Sequence, residues 1–449
     1  MSLKDDALPA LSNDFVPPIV CGTADLTTFA YQGNGYDALM ERIGRSCIGN
    51  PPMLEDTARD YDTAIAAQLA FRRAEGLNLL DAALATSQIY RVAPPSCDTP
   101  FDTGTSPGAL LRVLALVGPG DLMANTPLDF LTNYLNVRLD LLYVLPDRPL
   151  PRVIPDHDVA FFALGDADPA SLARLRWLYA VWPRPALNNP RFLPALERDT
   201  LSHSLAGVPG LCSPTTAAVT REDLDAHLYT GRRIEGFDAG RIPYPCLIRP
   251  LASHAGNGLA RVQTPNELAD YLRFSFERHF FVTAFEEYAG QDGLYRKSRV
   301  AFIDRQPFLC HMAISSNWMV HYLNAGMTES ADKRAEEARA MAAFDHGFAR
   351  RHAAAFDALH ERLGFDYYSI DCAETRDGRL LVFEADAAAI VHLMDPPDLF
   401  PYKQPPMHRV FSAFGDLLRR QAGLAGPSNP ARGAVNPSGC RSPTKRRRG

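Results

Sequence analysis

The chain has 449 residues, 46% of them hydrophobic and 22% charged, with a net charge of −6. That length exceeds one ordinary core and implies two or three globular domains, and the acidic balance excludes bulk attraction to nucleic acid. Eight scattered cysteines without a CxxC pair exclude a disulfide framework and a cysteine zinc site, and point with the signal-free N-terminus to a reducing cytoplasm.

No apolar run is long enough to span a bilayer. The basic residues are almost all arginine, lysine occurring only at Lys4, Lys297, Lys333, Lys403 and Lys445. Residues before about Ser106 show no strand alternation; Ala64 to Tyr90 reads as two helices around Gly76, with Tyr61, Ile65 and Leu69 on one face. Residues 1–107 are thus expected to be a helical region, closed by a Pro-, Ser- and Gly-rich linker over Pro94 to Gly108. Leu111–Val117, Leu139–Leu145, Val159–Leu164 and Pro185–Asn188 are short apolar runs closed by turn residues, as in buried parallel strands, so 108–207 is expected to be a small α/β unit. Within it, Asp156-His157-Asp158 reads as a turn entering the Val159 strand. After Pro214 the runs Cys246–Pro250, Phe280–Tyr288, Tyr295–Ile303 and Pro307–Ile314 alternate as antiparallel strands. Helices are expected over Thr264–Arg278 and Ser330–Leu363, and two further strands flank Asp377-Gly378. The third unit spans 208–423. Residues 424–449 have the composition of a disordered tail, and Lys445 to Arg448 reads as a solvated end rather than a nucleic-acid arm.

Asp-Gly between alternating runs signals a two-residue hairpin turn. Arg376 would then face Arg379, Asp371 would fall opposite Glu384, and Asp386 would lie two residues further on the same face. Opposed like charges destabilise a ribbon, so a cation is expected to offset them. Oxygen-only ligands without Cys or His suit Mg²⁺, and we favour metal over a solvated acidic face for Asp371, Glu384 and Asp386. Glu374 reads as a surface acid near the turn.

Upstream, a strand ending at Arg249-Pro250 leads into Ser253-His254-Ala255-Gly256-Asn257-Gly258. Such a loop lets backbone N–H groups close on phosphate oxygens, and Arg249 can add a bidentate contact. A glycine-rich hairpin turn explains the loop equally well. The strand from Phe280 runs out at Glu286-Glu287-Tyr288, where a carboxylate could accept from an adenine amino group or a ribose hydroxyl. Lys297 and Arg299 share a face on the next strand, suited to polyphosphate neutralisation or to a solvated basic edge.

A phosphate loop, an acidic strand end, a basic strand and an acid hairpin, in that order over about Asn188 to Gln421, resemble the ATP-grasp superfamily, which includes glutathione synthase and D-alanine–D-alanine ligase. More narrowly, Pro119–Leu131, Pro155–Asp166, Tyr295–Tyr322 and Leu380–Ala388 look like a bacterial subgroup that carries tetratricopeptide-like helices. The resemblance implies an α/β and α+β architecture: a helical N-terminal region, a small Rossmann-like pre-ATP-grasp α/β domain, and a two-lobed ATP-grasp domain with antiparallel sheets. It implies that Asp371, Glu384 and Asp386 hold Mg²⁺ (or Mn²⁺), with Asp386 where an asparagine is usual. Arg249 stands where a phosphate-binding lysine is usual, Arg198 in place of a second lysine, and Lys297 where many relatives have an acid. Arg198, Arg249, Ser253, His254, Gly256, Gly258, Glu286, Glu287 and Tyr288 would hold ATP. Arg299, Lys297 and Arg249 would serve the phosphoryl transfer. His311, Asn317 and His321 are candidate substrate contacts, although His311 reads first as a core or strand-edge histidine. The implied reaction is an ATP-dependent ligation in the cytoplasm: a carboxylate is activated as an acyl phosphate and attacked by an amine or other nucleophile. Its partners would be small molecules or peptides, with no nucleic acid and no membrane, a homodimer being among the allowed assemblies. A phosphotransferase on the same fold and a non-catalytic nucleotide-binding scaffold are the alternatives.

Overall fold

The computed structural model describes residues 8–47, 50–94, 109–251, 253 and 256–424. The chain opens with β1 (Ala10–Ser12), β2 (Ile19–Val20), α1 (Thr23–Tyr31), α2 (Tyr36–Cys47), α3 (Pro52–Leu69), α4 (Arg73–Thr86) and β3 (Ile89–Val92). The expected helix pair is present as α3 and α4, but its break lies at 70–72, where Phe71 takes a φ of +62°. Gly76 lies inside α4, and a Cβ there would stand 2.4 Å from Gln68 Cγ and 2.8 Å from the Ala64 carbonyl oxygen. The glycine therefore serves close helix contact, not a turn. The three short strands have no readable alternation, because segments of two to four residues become strands only when neighbours supply the ladder. The predicted linker lies, from residue 95 onward, outside the described residues.

Next come β4 (Leu111–Val117), α5 (Leu128–Thr132), β5 (Val137–Tyr143), β6 (Val153–Pro155), β7 (Val159–Phe162), α6 (Pro169–Val181) and β8 (Ala186–Leu187). A six-stranded sheet has the order β2-β3-β5-β4-β7-β8 and is parallel except between β3 and β5. Its apolar runs sit where parallel strands must, covered on both faces: Val113 to Leu116 and Val159 to Phe161 are fully buried. The two strands recruited from before the linker extend this sheet, and β1 pairs with β6 beside it.

The small lobe follows α7 (Arg198–Leu205) and β9 (Leu211–Cys212) and consists of β10 (Thr216–Thr220), α8 (Arg221–Thr230), β11 (Cys246–Pro250), β12 (Ala260–Val262), α9 (Pro265–Phe274) and β13 (His279–Ala284). Its antiparallel sheet runs β10-β13-β11-β12. Val219, Leu224, Ile248, Leu268, Phe280 and Val282 give it a core of its own, each such burial contributing about 1.5–3 kcal/mol.

The last part contains β14 (Tyr295–Ile303), β15 (Gln306–Ser315), α10 (Ala331–Ala343), α11 (Phe348–Arg351), α12 (Ala353–Leu363), β16 (Tyr367–Glu374), β17 (Leu380–Asp386) and α13 (Gln404–Gln421). Its sheet has the order β15-β14-β16-β17-β9. The helix expected over 330–363 is three helices, interrupted where Gly347 leaves helical geometry. Helix α13 buries Met407, Val410, Phe411 and Phe414 in the same core as the N-terminal helices and the six-stranded sheet. Among the described residues no helix is long and apolar enough to cross a membrane.

Helix α12 ends on Gly364 at φ +66°, where a Cβ would fall 2.4 Å from the Phe192 ring. Left-handed backbone alone costs a Cβ-bearing residue about 1–2 kcal/mol. Gly364→Ala is expected to lose at least that much stability, read as a lower denaturant midpoint at an unchanged slope.

Candidate functional site

The pairing of Asp371 with Glu384 is present, but it arises by another route than a two-residue turn. Thr375, not Arg376, faces Arg379, its N–H reaching the Arg379 carbonyl at 2.9 Å. The loop therefore holds three residues, with Gly378 at φ +81° in the left-handed position such loops require. This slips the register by one, and a bulge at Phe383, where Cys372 pairs with Val382 and Asp371 with Glu384, restores it. Ser369 then faces Asp386.

The offsetting cations are side chains. Lys297 Nζ lies 2.7 Å from Asp371 Oδ2. Arg299, directly across β14 from Asp371, donates from Nε to Oδ1 at 2.8 Å and from Nη2 to Oδ2 at 3.2 Å, while its Nη1 donates to the Ile390 carbonyl at 3.1 Å. Burial raises the Asp371 pKa, yet Arg299 and Lys297 outweigh it and hold the carboxyl well below the ordinary range. Arg198, at the start of α7, is ion-paired with Glu384. Burial works against that carboxylate too, but Arg198 outweighs it and lowers its pKa. Among the described residues the Asp386 carboxylate accepts the Ala388 N–H at 2.6 Å; burial and the Glu384 charge push its pKa up to about 6.

The three carboxylates of the expected metal set are thus partnered unequally. Among the described residues no group of three or more His, Cys, Asp or Glu stands ready to hold a metal ion. Both Asp371 oxygens face cations, Oδ2 accepting from Arg299 and Lys297 alike, so side-chain charge already offsets this carboxylate. Glu384 and Asp386 do fit Mg²⁺, which uses one or two carboxylates together with substrate phosphates. Arg299 uses three of its five N–H donors on Asp371 and the Ile390 carbonyl, and so positions Asp371 and the Ile390 segment.

Arg249, at the end of β11, donates to Ser253 Oγ at 3.1 Å and is bonded to the Ser253 carbonyl as well. It has no ion-pair partner among the described residues. Burial, and then the neighbouring Arg198 charge, push its pKa down to about 10, against a pull from Glu384. Two guanidiniums from different elements thus share the field of Glu384, Arg198 as its ion-pair partner. Gly256 and Gly258 adopt φ of +77° and +66°, and a Cβ on Gly258 would fall 2.8 Å from Pro250. Both are demanded by the β11–β12 hairpin itself, and Gly256 approaches Met319 beyond β15. His254 lies outside the described residues.

Strand β13 stops at Ala284, short of the three residues expected at its end. Glu286 pairs with Arg379 at 3.5 Å. Exposed Glu287 accepts the Ala289 N–H and the Tyr295 hydroxyl. Tyr288 is buried, donates to the Trp318 carbonyl at 2.7 Å, and packs edge-on to Tyr295 and Phe383. It is a core residue, not a free ligand contact.

His311 lies across from Arg299 on β15, its ring 4.6 Å from that of Tyr322. Burial, then Arg299 and Lys403, hold its pKa well below the ordinary value, so it is neutral. His321 is depressed by burial and by Lys297 and Arg299; both histidines adjoin the charged cluster. Exposed Asn317 does not join them, since its side chain accepts the Met319 N–H of its own turn. Asp156 and Asp158 are ion-paired with Arg112, and Asp156 also with Arg184. His157 between them accepts from Trp182 Nε1 at 3.0 Å, so this triplet is the structural turn expected.

A second charged cluster has no local sequence signal. Buried Lys403 lies 2.8 Å from Asp395 and 3.4 Å from Glu337 and is bonded to the Tyr322 hydroxyl. Glu337 also accepts the Met312 N–H at 2.9 Å and the Tyr402 hydroxyl at 2.7 Å. His392, depressed to about 4 by burial and by Lys403 and Arg299 against a pull from Asp395, lies between the two clusters.

No family model and no curated protein matches the sequence. Solved structures similar to this chain include the D-alanine–D-alanine ligase of Bacillus anthracis complexed with ATP, at 13% identity over 70% of this chain and 99% of that one, with a TM-score of 0.40. The VanG D-Ala:D-Ser ligase of Enterococcus faecalis is 13% identical over 69% and 99%, with a TM-score of 0.43. A RimK domain ATP-grasp protein of Sphaerobacter thermophilus is 18% identical over 68% and 99%, with a TM-score of 0.37.

Proposed function

We propose that the chain is an ATP- and Mg²⁺-dependent ligase of the ATP-grasp type, which activates a substrate carboxylate as an acyl phosphate for attack by an amine or another nucleophile. The observation that carries this reading is Arg249, half-buried without an ionic partner among the described residues, in the field of Arg198 and Glu384. A buried guanidinium lacking a carboxylate is an anion receptor, and its planar fork matches phosphate. The order of motifs along the sequence agrees with it.

In this mechanism Arg249 and Arg198 grip the phosphates, Arg198 exchanging Glu384 for phosphate oxygen. Glu384 and Asp386 would hold Mg²⁺, which supplies charge neutralisation on the phosphates. The substrate carboxylate oxygen bonds to the γ-phosphorus as the bond to the β-phosphate bridging oxygen breaks, releasing ADP. The nucleophile then attacks the acyl carbon, inorganic phosphate leaves, and the nucleophile gives up its proton. His321, kept neutral beside Lys297 and Arg299, is the candidate acceptor of that proton.

Calorimetry of ATP binding with and without Mg²⁺ tests the reading. The wild type is expected to bind in a Mg²⁺-dependent manner, and Glu384→Ala to weaken that binding by about 10- to 100-fold. Release of ADP and phosphate with a carboxylate and an amine supplied together then separates a ligase from a phosphotransferase. Absence of nucleotide binding in both proteins removes the proposal. A second reading, a nucleotide-binding scaffold without chemistry, is favoured by the pairing of Asp371 with Lys297 and Arg299; binding without turnover over such substrate pairs would select it.

A further inference from the structure

We infer that Lys297 is a built-in counter-cation that takes the Asp371 side of the expected Asp371–Glu384–Asp386 metal set, so that this chain takes up nucleotide with one metal ion, on the Glu384–Asp386 side. The inference rests on the nucleotide reading above and concerns how that site is charged. A metal ligand must present an oxygen lone pair to the ion. On Asp371, Oδ1 accepts one N–H, from Arg299, whereas Oδ2 accepts from Arg299 and from Lys297, so it is Lys297 that fills the second lone pair of Oδ2. Lys297 and Arg299 are two residues apart on β14 and aim at the same carboxylate from one strand face. A divalent ion at Asp371 would have to stand against this ammonium, whose charge also acts on Glu384 across the hairpin. Lys297 appears in no other ion pair among the described residues.

The opposite strand differs. Within ion-pair distance among the described residues, Glu384 meets Arg198 and Asp386 meets no cation. An incoming phosphate competes directly for Arg198. It does not release Asp371, whose cations come from its own sheet. The two sides of the hairpin therefore respond differently to nucleotide: the Glu384–Asp386 side opens to one ion, and the Asp371 side stays closed. The choice of residue fits this role. In a chain so rich in arginine, the position carries lysine, whose compact ammonium is closer to a bound cation than a planar fork is.

Mn²⁺ counting by electron paramagnetic resonance on the full chain, saturated with a non-hydrolysable ATP analogue, tests this without turnover. One Mn²⁺ per bound nucleotide is expected in the wild type, and two in Lys297→Glu, which replaces the cation by a ligand. Lys297→Met, which only removes the charge, is the second variant and is expected to admit a weaker second ion; thermal melting establishes that each variant is folded. Two ions in the wild type, or a single ion in every folded variant, overturns the inference and leaves the nucleotide reading standing. Absence of analogue binding in the wild type overturns the nucleotide reading, and this inference with it.

Discussion

Lys403→Met is expected to lower the stability of the protein by about 3–5 kcal/mol, the range for breaking a buried ion pair by removing one partner. Methionine fills nearly the same volume, so little of the loss is packing. What remains is two carboxylates, Glu337 and Asp395, without their shared cation in a region where Lys403 itself is 2% exposed and Glu337 is fully buried. Glu337 already sits above the ordinary glutamate pKa because burial outweighs the help of Lys403. Adding Glu337→Gln should recover part of the loss, since the amide oxygen can still accept the Met312 N–H and the surplus charge is gone. Urea unfolding of the wild type, both single variants and the double variant measures the coupling; a single-variant loss below about 1 kcal/mol would show that the cluster is hydrated and the attribution wrong.

Arg249→Ala is expected to weaken Mg·ATP binding by about 10- to 100-fold, the worth of charge-assisted hydrogen bonds of about 1.5–3 kcal/mol. Stability should move by no more than about 0.5 kcal/mol, because among the described residues the side-chain bonds of Arg249 reach only Ser253 in its own loop. Arg249→Lys should fall between the two, keeping the charge and losing the fork. Isothermal titration on the three proteins checks this, and an unchanged affinity in Arg249→Ala would detach the residue from the phosphates.

Much of the architecture is legible because periodicity is local. The runs over 111–117 and 159–164 read as buried parallel strands, and such strands stand at 111–117 and 159–162. The hairpin over 367–386 shows how a correct pairing can follow from an incorrect turn. Thr375 closing on Arg379 and the extra residue at Phe383 cancel, and neither leaves a mark in a pattern of period two. Gly76 illustrates the reverse: a glycine between helical stretches looks like a break, whereas the packing of α4 on α3 needs it. The acids at Asp371, Glu384 and Asp386 are visible from sequence, and so is their need for a cation. That the cations are Lys297, Arg299 and Arg198 depends on β14 and α7 arriving beside the hairpin, which no local pattern encodes. The Lys403 cluster is less visible still, since its members come from α10, the segment after β17 and the approach to α13.

The lysines carry one further consequence. Lys4 and Lys445 lie outside the described residues. Lys297 is committed to Asp371, Lys403 is buried, and the Lys333 ammonium donates to the Ala325 carbonyl. The positive charge that the described surface shows to solvent is therefore guanidinium, which acyl donors aimed at primary amines pass over. Towards acetylation and amine-directed labelling, this part of the chain is nearly silent. Only Lys297 and Lys333 offer a partly exposed amine, and one of those two stands inside the charged cluster, where any acylation would be a report on the site itself.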